Sequence, residues 1–167
     1  MVARADDRRE AALAILREVM DPEVPVLSVV DLGIVRDVAV DGGDVTVTVT
    51  PTYSGCPAMK VIEDDIVAAL AAGGFAGARV RTVHSPAWTT DWMSEGAKQR
   101  LKAYGIAPPA RTATEELVPL VRRAAPVECP YCGSPRTEMR GEFGSTACKA
   151  TMYCRACEQP FELFKAI

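Results

Sequence analysis

Two Cys-x-x-Cys pairs in the last quarter of the chain constrain its fold more than any other feature. Cys129 and Cys132 form the first pair, and Cys154 and Cys157 form the second after a gap of 21 residues. Each such turn can direct two thiolates at one ion, and two turns complete the tetrahedral ligand set that zinc prefers. The spacing therefore predicts a four-cysteine metal site, and the competing interpretation is two redox-active pairs.

The segment that carries these cysteines, residues 127–167, is close to the size at which a domain needs a metal or disulfides to fold. Gly144 and Ser145 separate two stretches, 136–143 and 146–153, that are predicted to pair as a hairpin. The segment is therefore predicted to be a zinc-ribbon β domain. Zinc is the favoured ion, and iron is the alternative because a Cys-Pro-x-Cys-Gly knuckle also suits a rubredoxin-like site.

A further cysteine of this segment, Cys148, lies outside both pairs and in the middle of the second predicted strand. The favoured interpretation is a small buried residue, since free cysteine is among the most buried residue types. The alternative is an extra metal ligand or a thiol that meets a partner. The sequence leaves this choice open.

Residues 1–105 are predicted to form a small α/β (α+β) domain with a three-stranded mixed sheet. Its elements follow from apolar stripes at helical spacing and from alternating valines and threonines. In order, they are a helix over 7–20, a hairpin over 33–50, a helix over 57–72, a strand over 78–84 and a helix over 91–104. Four prolines interrupt residues 106–126, which are predicted to link this domain to the ribbon.

Cys56 is the one cysteine of the predicted α/β domain. It precedes Pro57, which fits the first position of a helix, so Cys56 is predicted to be the N-cap. Free N–H groups and the helix dipole would lower the pKa of a thiol there and favour its reactive form. The alternative is an inert capping residue. Asp21 and Glu23 could lie beside the thiol, but the sequence alone does not place them.

The composition disfavours several classes of function. His84 is the one histidine, so a Cys/His hydrolase is disfavoured, and a thiolate that binds iron or copper is the better hypothesis. The net charge is −3, and the charges of residues 127–167 cancel, which argues against nucleic acid. No apolar run is long enough to cross a membrane and no secretory signal is found, so a cytoplasmic protein is expected.

Two tryptophans, Trp88 and Trp92, flank the sequence Thr-Thr-Asp. The favoured interpretation is that they fill the core beneath the last predicted helix. The alternative is a partner-facing patch near Cys56, because tryptophan is enriched in interface hot spots.

Several of these segments together resemble a known family. The motifs of residues 21–92 resemble the SufT-like domain of iron–sulfur assembly proteins, and their combination with the ribbon is similar to the PaaD (PaaJ) family of the bacterial phenylacetyl-CoA oxygenase (epoxidase). The resemblance rests on Asp21-Pro-Glu-Val-Pro25, Val30-Asp-Leu-Gly-Ile-Val-Arg36, Thr52-Tyr-Ser-Gly-Cys-Pro57, His84-Ser-Pro-Ala-Trp-Thr-Thr-Asp-Trp92 and Phe143-Gly-Ser-Thr-Ala-Cys-Lys149.

The resemblance implies an accessory protein of phenylacetate degradation that assembles or delivers an iron–sulfur cluster or iron, with Cys56 as its ligand. The implied partners are the oxygenase components, above all the iron–sulfur reductase, and the iron–sulfur assembly machinery. Because a cluster needs about four ligands, a homodimer, a partner or small thiols would complete the site. A non-catalytic docking protein of the oxygenase complex, with only structural zinc, is the alternative. With one histidine, the chain lacks the Glu-x-x-His pairs of a di-iron oxygenase.

Overall fold

The described part of a computed structural model covers residues 5–42, 44–53, 55–109 and 126–165. Contacts divide the chain into two compact units. The first consists of the residues up to 88 together with 92–94, and the second consists of 89–91 and the residues from 95 onward. No helix of the described residues is long and apolar enough to cross a membrane.

The first unit contains the predicted three-stranded mixed sheet. Its elements are α1 (Ala5–Leu16), β1 (Val35–Asp41), β2 (Asp44–Val49), α2 (Met59–Ala72) and β3 (Arg79–Thr82). The strand order is β1-β2-β3, with β1 antiparallel and β3 parallel to the central β2. The hairpin and the strand–helix–strand unit predicted from the sequence are both confirmed.

Strand β2 supplies the centre of this core because its side chains alternate between two faces. Val45, Val47 and Val49 are fully buried. Both α1 and α2 contact the sheet and each other, and Leu16, Ile62, Ile66 and Leu70 are fully buried. One helical layer therefore covers the valine face of the sheet.

The helix ends differ from those predicted. Helix α1 ends at Leu16, not Met20, because the chain after it pairs with a distant segment: Val19 C=O accepts the N–H of Val29, and Asp21 N–H donates to Leu27 C=O. Hydrogen bonds to residues 27–29 replace those that would have continued the helix. The predicted helix over 91–104 is divided into a 3₁₀ turn, Thr90–Trp92, and a later α-helix.

The second unit contains α3 (Glu95–Tyr104) and a four-stranded sheet. Its strands are β4 (Ile106–Ala107), β5 (Thr137–Gly141), β6 (Lys149–Cys154) and β7 (Pro160–Phe164), in the order β4-β7-β6-β5. The predicted ribbon hairpin is confirmed as β5 and β6, although both strands are shorter than predicted. Strands β4 and β7 were not predicted.

The predicted linker begins too early. Ile106 and Ala107 are buried and pair in parallel with β7, and α3, placed by the sequence in the first domain, belongs with the second unit. The prolines of this segment could not reveal a two-residue strand, because such a strand has no sequence pattern of its own. Residues 110–125 of the predicted linker lie outside the described part of the chain.

Gly33 marks a close approach within the first unit. Its φ is +72°, and an added Cβ would lie 2.7 Å from the carbonyl oxygen of Trp92. Gly42 also has a positive φ, +58°, but an added Cβ would meet nothing within 4 Å. The two glycines therefore separate the cost of backbone strain from the cost of steric overlap.

We expect Gly33→Ala to lower the free energy of unfolding by about 3 kcal/mol, because strain and overpacking add, and Gly42→Ala to lower it by about 1 kcal/mol, from strain alone. Denaturant unfolding followed by tryptophan fluorescence measures this directly, since Trp88 and Trp92, the two tryptophans of the chain, both belong to the first unit. Equal losses in the two variants would contradict the close approach.

Candidate functional site

The four cysteines of the two Cys-x-x-Cys pairs converge in the second unit. The sulfur atoms of Cys129, Cys132, Cys154 and Cys157 all lie within 4.8 Å of one another. The Cys129–Cys157 and Cys132–Cys154 sulfur distances are 3.7 and 3.6 Å. Four sulfurs placed at about 2.3 Å from a central zinc ion in a tetrahedron lie about 3.8 Å apart, so this quartet fits zinc.

Backbone hydrogen bonds shape each knuckle around its sulfurs. In the first, Gly133 N–H donates to Cys129 C=O at 2.9 Å, with Gly133 at φ +71°, and Cys129 N–H donates to Ser134 C=O at 3.0 Å. In the second, Cys154 N–H donates to Gln159 C=O at 3.0 Å. Each turn thereby holds its pair of thiols on the inner side of the loop.

The two most buried thiols of the quartet belong to the small core beneath the metal site. Cys129 and Cys154 are fully buried and pack with Ala107, Met152 and Phe161. Cys132 lies on the surface, and Cys157 is half-buried. The metal site therefore forms one end of the ribbon core.

The thiols affect one another's ionisation. Backbone N–H groups of Cys157 and Ala156, together with the Cys132 thiol, lower the pKa of Cys154 to about 6 in spite of its burial. Burial and the hydrogen bonds with Cys132 and Cys154 raise the pKa of Cys157. Four thiolates cannot coexist at these distances without a compensating cation, which is the condition that a bound metal ion meets.

Cys148 is not part of the quartet. It lies just before β6, not in mid-strand as predicted, because the strand begins only at Lys149. The residue is buried, its sulfur lies 3.1 Å from the Thr146 hydroxyl, and its carbonyl accepts the N–H of Lys165 at 2.9 Å. The burial agrees with its interpretation as a small packed residue.

Cys56 is not the N-cap of α2, contrary to prediction. The N-cap is Ala58, and Cys56 lies in the preceding turn, where Met59 N–H donates to Cys56 C=O at 3.2 Å. Pro57 therefore belongs to this turn and not to the first helical position. The Cys56 side chain is half-exposed and remains accessible to a ligand.

The pKa of Cys56 is raised, which overturns the predicted reactive thiolate. Burial is the largest cause, and the charges of Glu23 and Asp21 act in the same direction. The Ala58 N–H and the Thr52 hydroxyl donate to the sulfur and oppose the shift, but they do not outweigh it. The predicted shift was wrong because the sequence showed the donors of the helix start but neither the burial of the thiol nor the nearby charges of Glu23 and Asp21.

Asp21 and Glu23 are brought near Cys56 by a tight turn. Asp21 is buried, and its Oδ1 accepts the N–H groups of Glu23 and Val24, both at 2.8 Å. This turn holds both carboxylates within electrostatic range of the thiol. Among the described residues, however, only the ribbon quartet brings three or more cysteine, histidine or acidic ligand atoms within 4.8 Å. The Cys56 cluster is thus an incomplete ligand set.

The structure corrects the alternative assigned to the tryptophans. Trp88 is 3% exposed and its Nε1–H donates to Leu32 C=O at 3.0 Å, so it is a core residue and not a partner-facing one. Trp92 is half-buried beneath the Arg36 guanidinium, which lies 3.5 Å from the ring centroid. His84 is exposed beyond the end of β3.

Comparison with known families assigns both parts of the chain. Residues 9–85 match the family described as iron–sulfur cluster assembly protein. Residues 113–165 match the family described as PaaD zinc beta ribbon domain. The first match covers the three-stranded sheet and Cys56, and the second covers the ribbon and its four cysteines.

Individual relatives agree with these assignments. A protein of Escherichia coli K12, provisionally named as one of the subunits of 1,2-phenylacetyl-CoA epoxidase, is 45% identical over 92% of this chain and 90% of its own length. The Fe-S protein maturation auxiliary factor of Porphyromonas gingivalis is 40% identical over 55% of this chain and 89% of its own length.

A solved structure shows the same fold for the first unit. A DUF59 domain from Bacillus anthracis, of unknown function, superposes with a TM-score of 0.55 and 31% identity over 58% of this chain and 93% of that chain. The α/β fold is therefore an established one. With an iron–sulfur assembly domain joined to a PaaD-type zinc ribbon and a relative matched over nearly its whole length, the chain belongs to the PaaD family.

Proposed function

We propose that this protein is an accessory factor that binds an iron–sulfur cluster or iron through Cys56 and delivers it to a component of phenylacetyl-CoA epoxidase. The observation that carries the proposal is the half-exposed Cys56 thiol facing Asp21 and Glu23 within the iron–sulfur assembly domain. The names of the relatives support both halves of the proposal, the maturation role and the epoxidase client. The protein does not itself oxidise the substrate.

The charges around Cys56 suit a cationic cargo. Asp21 and Glu23 disfavour a bare thiolate, because they add negative charge beside it. The same two carboxylates favour a thiolate that has exchanged its proton for an iron cation. Binding therefore releases the thiol proton, and the empty site stays protonated and unreactive near neutral pH. This environment argues against a thiol enzyme, which needs an activated nucleophile.

Incomplete ligation fits a carrier. A cluster takes about four ligands, and Cys56 supplies one thiolate, so the remaining ligands come from a second copy, a partner or small thiols. A site that holds its cargo through few bonds can also release it. A site with four protein ligands would instead hold its metal permanently.

The ribbon quartet has a different role in this proposal. Cys129, Cys132, Cys154 and Cys157 hold a structural zinc ion, which supplies the folding free energy that a domain of this size lacks. None of the six cysteines forms a disulfide, which suits the reducing cytoplasm proposed as its location.

Anaerobic reconstitution with iron and sulfide tests the cargo site. We expect the wild-type protein to gain sulfide-dependent visible absorption and Cys56→Ser to gain at least fivefold less, because the variant lacks the thiolate ligand. Cys148→Ser is the matched control and is expected to behave like the wild type, since Cys148 belongs to neither cysteine site. If all three proteins stay colourless, carriage by the isolated protein fails and the alternative of a docking protein with only structural zinc takes its place.

Metal analysis tests the ribbon site. We expect about one zinc ion per chain in the wild type and in Cys148→Ser, and loss of that ion in Cys154→Ser, because the buried Cys154 thiolate is one of four ligands. Chelation of the wild-type ion should expose the ribbon backbone to hydrogen exchange. Full zinc content in Cys154→Ser would refute the four-cysteine assignment.

Neutralising the carboxylates tests the electrostatic part of the proposal. Asp21→Asn combined with Glu23→Gln should lower the pKa of Cys56, because two charges that oppose the thiolate are removed. We therefore expect alkylation of Cys56 by iodoacetamide at pH 7 to become severalfold faster, as followed by mass spectrometry. Asp65→Asn, which removes an exposed charge of α2 that does not act on Cys56, is the control. An unchanged rate in the double variant would show that the carboxylates do not affect the thiol.

A further inference from the structure

The loop between β5 and β6, residues 142–148, is explained neither by the quartet nor by Cys56. Its Phe143 side chain is 68% exposed, the highest fraction among the described large hydrophobic residues. An isolated exposed aromatic residue on a mobile loop would carry little information. The contacts of this loop tie it to strand β7 and to Lys165.

The Glu162 carboxylate on β7 fixes the loop. Ser145 donates to it twice, from its N–H at 2.6 Å and from its hydroxyl at 3.1 Å. The Lys149 ammonium lies 3.4 Å from the same carboxylate. Burial of Glu162 disfavours its charge, but the Ser145 hydrogen bonds and Lys149 outweigh this effect and lower its pKa.

Lys149 and Glu162 form an ion pair in which the lysine is buried. Lys149 is 4% exposed, and desolvation of such a charge offsets most of what the ion pair contributes to stability. The loop backbone at Gly144 packs closely against Glu162, since a Cβ added there would lie 2.5 Å from Glu162 Oε1. The group therefore serves mainly to hold the loop that presents Phe143.

Lys165 flanks the exposed ring. Its Nζ lies 4.6 Å from the centroid of Phe143 and donates to Glu142 C=O at 3.0 Å. No carboxylate of the described residues forms an ion pair with Lys165. A cation and an aromatic ring are thus presented together, and within the described part of the chain Lys165 has no carboxylate partner of the kind that Lys149 has.

We propose that Phe143 and Lys165 form the docking surface for a component of phenylacetyl-CoA epoxidase, whose own surface offers an apolar pocket with a carboxylate at its rim. The identity of the partner rests on the proposed function. Phe143 fills the pocket and Lys165 pairs with the carboxylate. Because Glu162 and Lys149 already hold the loop, little conformational entropy is lost when the partner binds.

The affinity of the zinc-loaded full chain for each purified epoxidase component of the same organism tests this surface. Phe143→Ala should weaken binding at least tenfold, because the ring is the main apolar anchor. Met139→Ala removes another exposed hydrophobic side chain of the ribbon, 54% exposed on β5, and should change the affinity less than twofold. Zinc content and far-ultraviolet circular dichroism of both variants confirm that each is folded.

A charge-matched pair of variants tests the cation. Lys165→Met keeps the stem of the side chain but removes its charge, and it should weaken binding three- to tenfold and reduce the dependence of the affinity on salt. Lys60→Met removes an equal charge from the surface of α2, where Lys60 pairs with Asp64, and should leave the affinity unchanged. An equal loss in both variants would mean that only net charge matters.

The proposal is overturned if the wild-type chain binds none of the components, or if Phe143→Ala binds as tightly as the wild type. Cys56→Ser separates the outcomes: it should bind the partner normally and fail to load iron, whereas Phe143→Ala should load iron normally. If the wild-type chain does not load iron but binds a component in a way that depends on Phe143, the carrier function is rejected and the docking surface is retained. If the wild-type chain loads iron but shows no Phe143-dependent binding, the docking surface is rejected and the carrier function is retained.

Discussion

The second unit, which contains the ribbon, depends on a cation that its four cysteines can bind. Its four thiols lie within 4.8 Å of one another, and neither burial nor hydrogen bonding can keep four negative charges that close. Metal binding compensates them and contributes on the order of 10 kcal/mol to the folding of such small domains. The metal site also supports the strands beside it, because Cys129 and Cys154 belong to the core formed with Met152 and Phe161.

The first unit depends on apolar burial. The valines of β2 lie beneath two helices. Cys56 lies outside the one group of described residues whose ligand atoms could hold a metal ion. The turn that begins at Asp21 uses a buried carboxylate to accept two backbone N–H groups, and the same turn brings negative charge towards the thiol. A local requirement of the backbone thus also determines the electrostatics of the candidate site.

The two cysteine environments are opposites, and the difference matches their proposed roles. Around Cys154, backbone donors stabilise the thiolate and lower its pKa to about 6, which favours a metal ion that stays. Around Cys56, burial and two carboxylates raise the pKa, so the thiolate is disfavoured unless a cation compensates its charge. A single ligand of this kind suits a cargo that is passed on. The ribbon would then serve to recognise the client.

Local spacing was enough to predict three features: the two knuckles, the valine alternation of β2 and the hairpin of the ribbon. It failed where distant segments meet. Ile106 and Ala107 looked like a linker because a two-residue strand has no pattern of its own, and it exists only through pairing with β7. Cys56 looked like an activated N-cap because the sequence showed Pro57 beside it but neither the burial of the thiol nor the proximity of Asp21 and Glu23, which lie more than 30 positions earlier. Tertiary structure decided both, since pairing partners and electric fields depend on distance in space and not along the chain.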